Sequence, residues 1–121
     1  MTRITYDEDS ALGYVQILAD VPGGIKQTLD LDVSYDMMVD LDKKGRIVGI
    51  EFFRGEAHTL KDAFETSRTF VKTGATAILQ LQQKKPLSTF RQAGIAFHFA
   101  GADYKDLVAI EIENMARYDA K

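Results

Sequence analysis

Fifteen residues in the first half, Val39-Asp-Leu-Asp-Lys-Lys-Gly-Arg-Ile-Val-Gly-Ile-Glu-Phe-Phe53, leave this chain few ways to fold. Val39 and Leu41 alternate with Asp40 and Asp42, the period of a strand that buries one face. Gly45 stands where a tight turn needs a left-handed residue, and Asp42 is placed to cap that turn through its carboxylate. Ile47, Val48 and Ile50 then resume an apolar strand. The segment is a β-hairpin, and whatever surrounds it must supply further strands, since an isolated hairpin is marginal in water.

The flanking residues supply them. Ile4-Thr-Tyr6 reads as a short strand before the turn Asp7–Ser10, and Gly13–Leu18 as a second. Val21-Pro-Gly-Gly24 breaks the chain, because proline fixes φ and the glycines admit φ > 0. Thr28–Val33 alternates with period two, Leu29, Leu31 and Val33 inward and Asp30 and Asp32 outward. Residues 1–53 therefore predict a five-stranded antiparallel meander.

Beyond residue 53 the period changes. Leu60, Ala63, Phe64, Ser67 and Val71 share one helical face, with Thr59 as N-cap and Gly74 as stop, which predicts a helix over about 60–72. Residues 76–85 suit helix by propensity. A comparison within the chain favours strand: Tyr14–Leu18 aligns with Ala77–Leu81, Met38–Asp42 with Phe97–Gly101, and Ile47–Glu51 with Leu107–Glu111. The second half then reads as a degenerate copy of the first, with strands over about 76–82, 88–93, 95–100 and 107–113, lacking the opening strand and preceded by the helix. The tail 116–121 shows no burial pattern and reads as frayed. The expectation is one domain over 1–121, mainly-β α+β: antiparallel meander sheets, one connecting helix, and an internal duplication of the meander.

Residues 3–53 resemble a small prokaryotic family known as domain-of-unknown-function family 2283. The resemblance rests on Ile4-Thr-Tyr-Asp7, on Ala11-Leu-Gly-Tyr-Val-Gln-Ile-Leu18 and on the hairpin Val39–Glu51. It implies a small prokaryotic or phage protein with no assigned activity. Similar proteins beside toxin-like neighbours suggest an inhibitor or antitoxin-like role. The resemblance brings no catalytic residue with it.

Composition narrows the chemistry. The 121 residues include no cysteine, so there is no disulfide, thiolate nucleophile or cysteine zinc site. Neither a signal peptide nor a membrane span is legible, which points to the reducing cytoplasm. The net charge of −3 hides an uneven spread: five basic against ten acidic residues over 1–53, seven against three over 54–91, and three against five over 92–121. A pI near 5.3 argues against nucleic acid as partner. His58 and His98 lack metal-pair spacing, and no serine stands in a nucleophile elbow, so no enzyme, cofactor or metal is expected; a metal-dependent hydrolase is the weakest reading.

Two functional readings follow. In the first, Asp30, Asp32, Asp40 and Asp42 display carboxylates on one sheet face and steer a basic protein partner to a non-catalytic interaction module. In the second, Arg68, Lys72, Lys84, Lys85 and Arg91 hold a small anionic, nucleotide-like ligand, with Phe70, Phe90 and Tyr104 available for stacking. Meander edges also predict a homo-oligomer.

Overall fold

The computed structural model describes residues 3–19 and 21–118. The first sheet contains β1 (Arg3–Asp7), β2 (Leu12–Gln16), β3 (Gln27–Leu31), β4 (Ser34–Leu41) and β5 (Ile47–Phe52). Helix α1 (Arg54–Glu65) follows. The second sheet contains β6 (Val71–Thr73), β7 (Thr76–Gln80), β8 (Ser88–Gln92), β9 (Ile95–Phe99) and β10 (Leu107–Ile112), before a short helix α2 (Met115–Tyr118). Both sheets are antiparallel, and the fold is mainly-β α+β as expected.

The strand orders are the same, β1-β2-β5-β4-β3 and β6-β7-β10-β9-β8. A plain meander would follow chain order. Here the chain leaves β2, crosses through the Pro22 turn to the far edge, and returns as β3–β4–β5, so that β5 lands beside β2. The duplication is therefore real in topology, and it is more complete than the sequence suggested. Strand β6 supplies the opening strand that the second copy was expected to lack.

Hydrogen bonds set the alignment of the copies. Val48 O accepts from Ile17 N at 2.8 Å and Leu18 N at 3.1 Å; Val108 O accepts from Leu81 N and Gln82 N at the same distances. Glu51 faces Tyr14 and Met38, and Glu111 faces Ile78 and Ala96. Tyr14 thus corresponds to Ile78, and Met38 to Ala96. Each is one residue away from the sequence alignment, a slip that would exchange the two faces of a strand.

Helix α1 starts and ends earlier than predicted. Its N-cap is Phe53, whose side chain makes no capping bond, and Thr59 lies inside the helix. At the other end Arg68 N bonds Ala63 O at 2.9 Å and Ser67 N bonds Phe64 O at 3.2 Å, with Ser67 at φ 54. That is a Schellman stop with serine in the left-handed place where glycine was sought. Gly74 instead turns the β6–β7 hairpin. The helix settles on β2 because Gly13 has no side chain: a Cβ there would come within 2.6 Å of Leu60 Cδ2.

Inner faces of both sheets enter one core, with Val15, Met37, Val39, Ile50 and Phe52 from the first and Leu79, Ile95, Phe97, Phe99 and Ile110 from the second. The copies are also cross-linked. A bulge interrupts pairing between Asp40 and Leu41 opposite β5, and its counterpart lies between Leu107 and Ala109 in β10. At these bulges the amides of Ile47 and Leu107 turn to partners outside their sheets. Leu107 N donates to Glu56 Oε1 of α1 at 3.1 Å, and Ile47 N donates to the Tyr118 hydroxyl of α2 at 2.9 Å. Each copy's terminal helix thus satisfies the other copy's bulge. Residues 116–118 are accordingly docked, not frayed, and 119–121 lie outside the described residues.

Tyr118 also donates to Ala93 O at 2.7 Å, so Tyr118→Phe strands two backbone groups. Urea denaturation should show a loss of about 1–3 kcal/mol. A change below about 0.5 kcal/mol would show that the α2 brace contributes little.

Candidate interaction groove

Alternation along the strands gives the first sheet a polar outer face. One row is Thr5, Tyr14, Glu51, Met38 and Asp30; the next includes Gln16, Gly49, Asp40 and Thr28. Asp40 is 3% exposed despite lying on this face. Tyr14 covers it: the ring lies over Gly49, where a Cβ would collide with it, and the hydroxyl donates to Asp40 Oδ2 at 3.1 Å. Thr28 donates to Asp40 Oδ1 at 2.7 Å. Glu51 is within hydrogen-bonding reach of the same carboxylate. Desolvation, then that contact and the Asp40 charge, push the Glu51 carboxyl up to about 7. Desolvation and the same two carboxylates also raise Tyr14, keeping its hydroxyl a donor.

Three cavities follow one another across this side of the molecule. The first, about 340 Å³, is lined by Asp7, Leu12, Tyr14, Glu51 and Phe53 among others. The second, about 440 Å³, shares Leu12 and Phe53 with it and adds Asp30, Met38, Tyr35 and Arg54. The third, about 520 Å³, shares Tyr35 and reaches Asp36, Glu56, Tyr104 and Asp106 between the two copies. Common walls make them one groove.

Tyr35 divides the second cavity from the third, and its side chain is 89% exposed. Its backbone is fixed all the same. Arg54 Nη1 bonds Tyr35 O at 3.1 Å and Asp36 Oδ1 at 3.0 Å, and Phe53 N bonds Asp36 O at 2.8 Å. Arg54 adopts φ 49 at this junction, and Tyr104 (φ 63) and Asp106 (φ 65) do so on the opposite wall. Left-handed non-glycine residues of this kind are held by their surroundings and concentrate at functional sites. At the floor, Glu56 accepts from Asp106 N and Leu107 N, but desolvation outweighs those bonds and raises its carboxyl.

The structure separates the four aspartates predicted to act together. Asp30 and Asp32 are exposed, while Asp40 is buried under Tyr14 and Asp42 is 4% exposed inside the hairpin turn. Asp42 caps that turn as expected, accepting from Lys44 N and Arg46 N at 2.9 Å and from Arg46 Nε at 2.8 Å. Burial opposes its charge, but these bonds win and hold its carboxyl below the usual range. Neither Asp40 nor Asp42 is available to steer a partner.

The five predicted cations do not converge. Lys72 and Arg91 lie on β6 and β8, opposite edges of the second sheet, about 19 Å apart at the usual strand spacing. Arg91 pairs with Glu113 through two bonds, and Lys84 pairs with Asp106 at 2.7 Å. Arg68 bonds Gln80 O at 2.9 Å, and Lys85 is exposed in the β7–β8 loop. The stacking rings are engaged too: Phe90 meets Phe97, and Tyr104 meets Phe99 edge-on. An anion pocket built from these residues is not assembled.

The second sheet repeats the polar cluster with one exchange. Thr89 corresponds to Thr28, Glu111 to Glu51, and His98 stands where Asp40 stands. His98 Nδ1 is 2.9 Å from Thr89 Oγ1 and its Nε2 is 2.9 Å from Glu111 Oε1. Hydroxyl, imidazole and carboxylate stand in line, but none of the cavities described above includes them. Sequence reasoning missed this correspondence because the copies were aligned one residue out.

Residues 3–54 match the model of a family described as a protein of unknown function (DUF2283), and that span covers the strands of the first copy. The uncharacterized protein YuzE of Bacillus subtilis (strain 168) is 26% identical over 121 residues, spanning 99% of this chain and 94% of that protein. No solved structure matches the chain. Among the described residues no helix is long and apolar enough to cross a membrane, and no group of three or more His, Asp or Glu side chains is arranged to hold a metal ion.

The raised Glu51 carboxyl has a consequence for stability. A carboxyl raised from 4.5 to about 7 binds its proton more tightly in the folded chain, so its stabilising effect is full below 4.5 and is lost as pH rises toward 7. Urea midpoints measured from pH 4.5 to 8 should fall through this window. Glu51→Gln should flatten the fall and be the more stable chain at pH 8. An unchanged profile in that variant would place the proton elsewhere.

Proposed function

We propose that this chain is a non-catalytic protein-binding module, inhibitor or antitoxin-like in kind, that takes a basic, partly apolar segment of a partner protein into the groove beside Tyr35. The observation that carries this reading is Tyr35 itself: an 89% exposed aromatic on a fixed backbone, dividing two adjoining cavities. Exposed tyrosines on rigid mounts are the side chains on which binding energy concentrates, because they add contact area at low entropic cost. Asp30 stands exposed in the cavity it shares with Tyr35, Asp32 is exposed just after β3, and Leu12, at 45% exposure, offers an apolar contact in the same groove. The exposed pair Lys105–Asp103 can exchange partners at small cost.

Lysis-free selection from a random peptide display library tests the reading. Enriched peptides should combine Lys or Arg with apolar residues, and Tyr35→Ala should weaken them by about 2 kcal/mol, on the order of thirtyfold. Selection that enriches nothing, or peptides indifferent to Tyr35→Ala, would contradict it.

A further inference from the structure

We propose that β8 is a docking edge whose occupant is β8 of a second copy of this chain, paired antiparallel about Phe90 so that the two second sheets join into one.

The phase of the ladder decides which backbone groups are free. Gly94 O, just before β9, accepts from Glu113 N at 2.9 Å and so faces β10, while Phe99 O accepts from Leu87 N at 2.8 Å and faces β8. Alternation then turns Ile95, Phe97 and Phe99 toward β8, where they meet Gln92, Phe90 and Ser88. The residues between, Thr89 and Arg91, direct their N–H and C=O groups away from the sheet. Among the described residues nothing bonds them.

Four edges end the two sheets, and the other three are blunted in the ways that keep natural edges from pairing. Strand β6 is three residues long and carries Lys72. Strand β1 has α1 along it, with the Phe64 ring near Tyr6 and Lys61 on Glu8 at 3.3 Å. Strand β3 is the counterpart of β8 and frees the same groups, on Thr28 and Asp30. There Asp30 and Asp32 are exposed, and neither joins an ion pair among the described residues. Strand β8 has no such guard. It runs for five residues without glycine or proline, and the charge of Arg91 is matched by Glu113 through two bonds. Beside it Leu87 is 72% exposed, and Phe90 is only half-buried.

The occupant follows from register. A strand laid antiparallel on β8 uses all the free groups only if it offers its own on alternate residues, as β8 itself does. Thr89 then pairs with the second copy's Arg91, and Arg91 with its Thr89, about a twofold axis through Phe90. Every N–H and C=O of the two residues is satisfied in both copies. Sliding the strands to put Thr89 or Arg91 on the axis brings in Leu87 or Ala93, whose N–H and C=O are already engaged. The second slide also sets guanidinium directly against guanidinium, which is unfavourable. In the favoured register Phe90 meets Phe90 on the core side, and Leu87 falls opposite the second copy's Ala93. On the outer face the second copy's Arg91 arrives beside Thr89 and extends the Thr89–His98 row.

The chain has no cysteine, so single cysteines read the register directly. Sedimentation from micromolar concentration upward should show a particle of two 13.5 kDa chains. Phe90→Cys should oxidise to a linked dimer, since such opposed residues have Cα atoms about 4.5 Å apart. Thr89→Cys should stay unlinked, its twin lying about 7–8 Å away on the diagonal. Arg91→Pro should be a monomer with an unchanged circular-dichroism spectrum, because the lost N–H points away from β9 and proline is tolerated at such an edge. Leu87→Glu, at an exposed position, should weaken the dimer by about tenfold, since a charge is then covered in place of an apolar side chain. A monomer at every concentration, a dimer that survives Arg91→Pro and Leu87→Glu, or a folded Phe90→Cys that does not link would overturn the proposal. If Phe90→Cys fails to fold, the other two variants decide. Masses that grow past two copies and collapse in Thr28→Pro would also overturn it, by pairing β8 with the β3 edge of the next copy.

Discussion

Two backbone amides hold this molecule together. The bulges in β5 and β10 turn Ile47 N–H and Leu107 N–H out of their own ladders and into the buried region between the copies. An unpartnered N–H at such a place costs about 1–3 kcal/mol, so each needs an acceptor. Each finds it on the terminal helix of the other copy, Tyr118 for Ile47 and Glu56 for Leu107. The docking of the last described turn and the position of the start of α1 follow from that exchange.

The brace also explains where the groove lies. Glu56 is held at the start of α1 by its two amides, and α1 begins directly after β5, so Phe53 and Arg54 are fixed against Asp36 and Tyr35. The third cavity opens where the copies meet. The two copies have diverged in step with their neighbours. Gly49 admits the Tyr14 ring, whereas the second sheet has Ala109 in place of Gly49 and Ile78 in place of Tyr14, with no ring to lie over the backbone. Gly13 admits Leu60 of α1, whereas Ala77 fills its place in the second sheet, which has no long helix against it.

Much of this was legible in the residues, and the failures have physical causes. Period-two alternation located β3, β4 and β9, strand propensity located β2, and the comparison within the chain located β7 and β8, where alternation was silent. Strand β6 escaped notice because it is a three-residue edge strand with every side chain exposed. Helix α2 escaped because four residues with one buried side chain, Tyr118, show no period. The bounds of α1 were misplaced because its N-cap makes no side-chain bond and its stop is Ser67. Asp40 and Asp42 read as solvated because alternation says which face a residue takes, not whether a neighbour such as Tyr14 then covers it. The five cations looked like a cluster because sequence proximity was taken for spatial proximity, and the sheet sends Lys72 and Arg91 to opposite edges.

Native-state hydrogen exchange on Glu56→Ala tests the central claim most directly. That substitution removes the acceptor of the Asp106 and Leu107 amides, both on the second copy's side of the brace. If the copies form one cooperative unit, Ile47 and its first-sheet neighbours should lose protection together with Leu107, all by the same factor. Lost protection confined to Leu107 and β10, with Ile47 as protected as before, would show that the two copies hold their structure independently and that the crossed bonds are incidental.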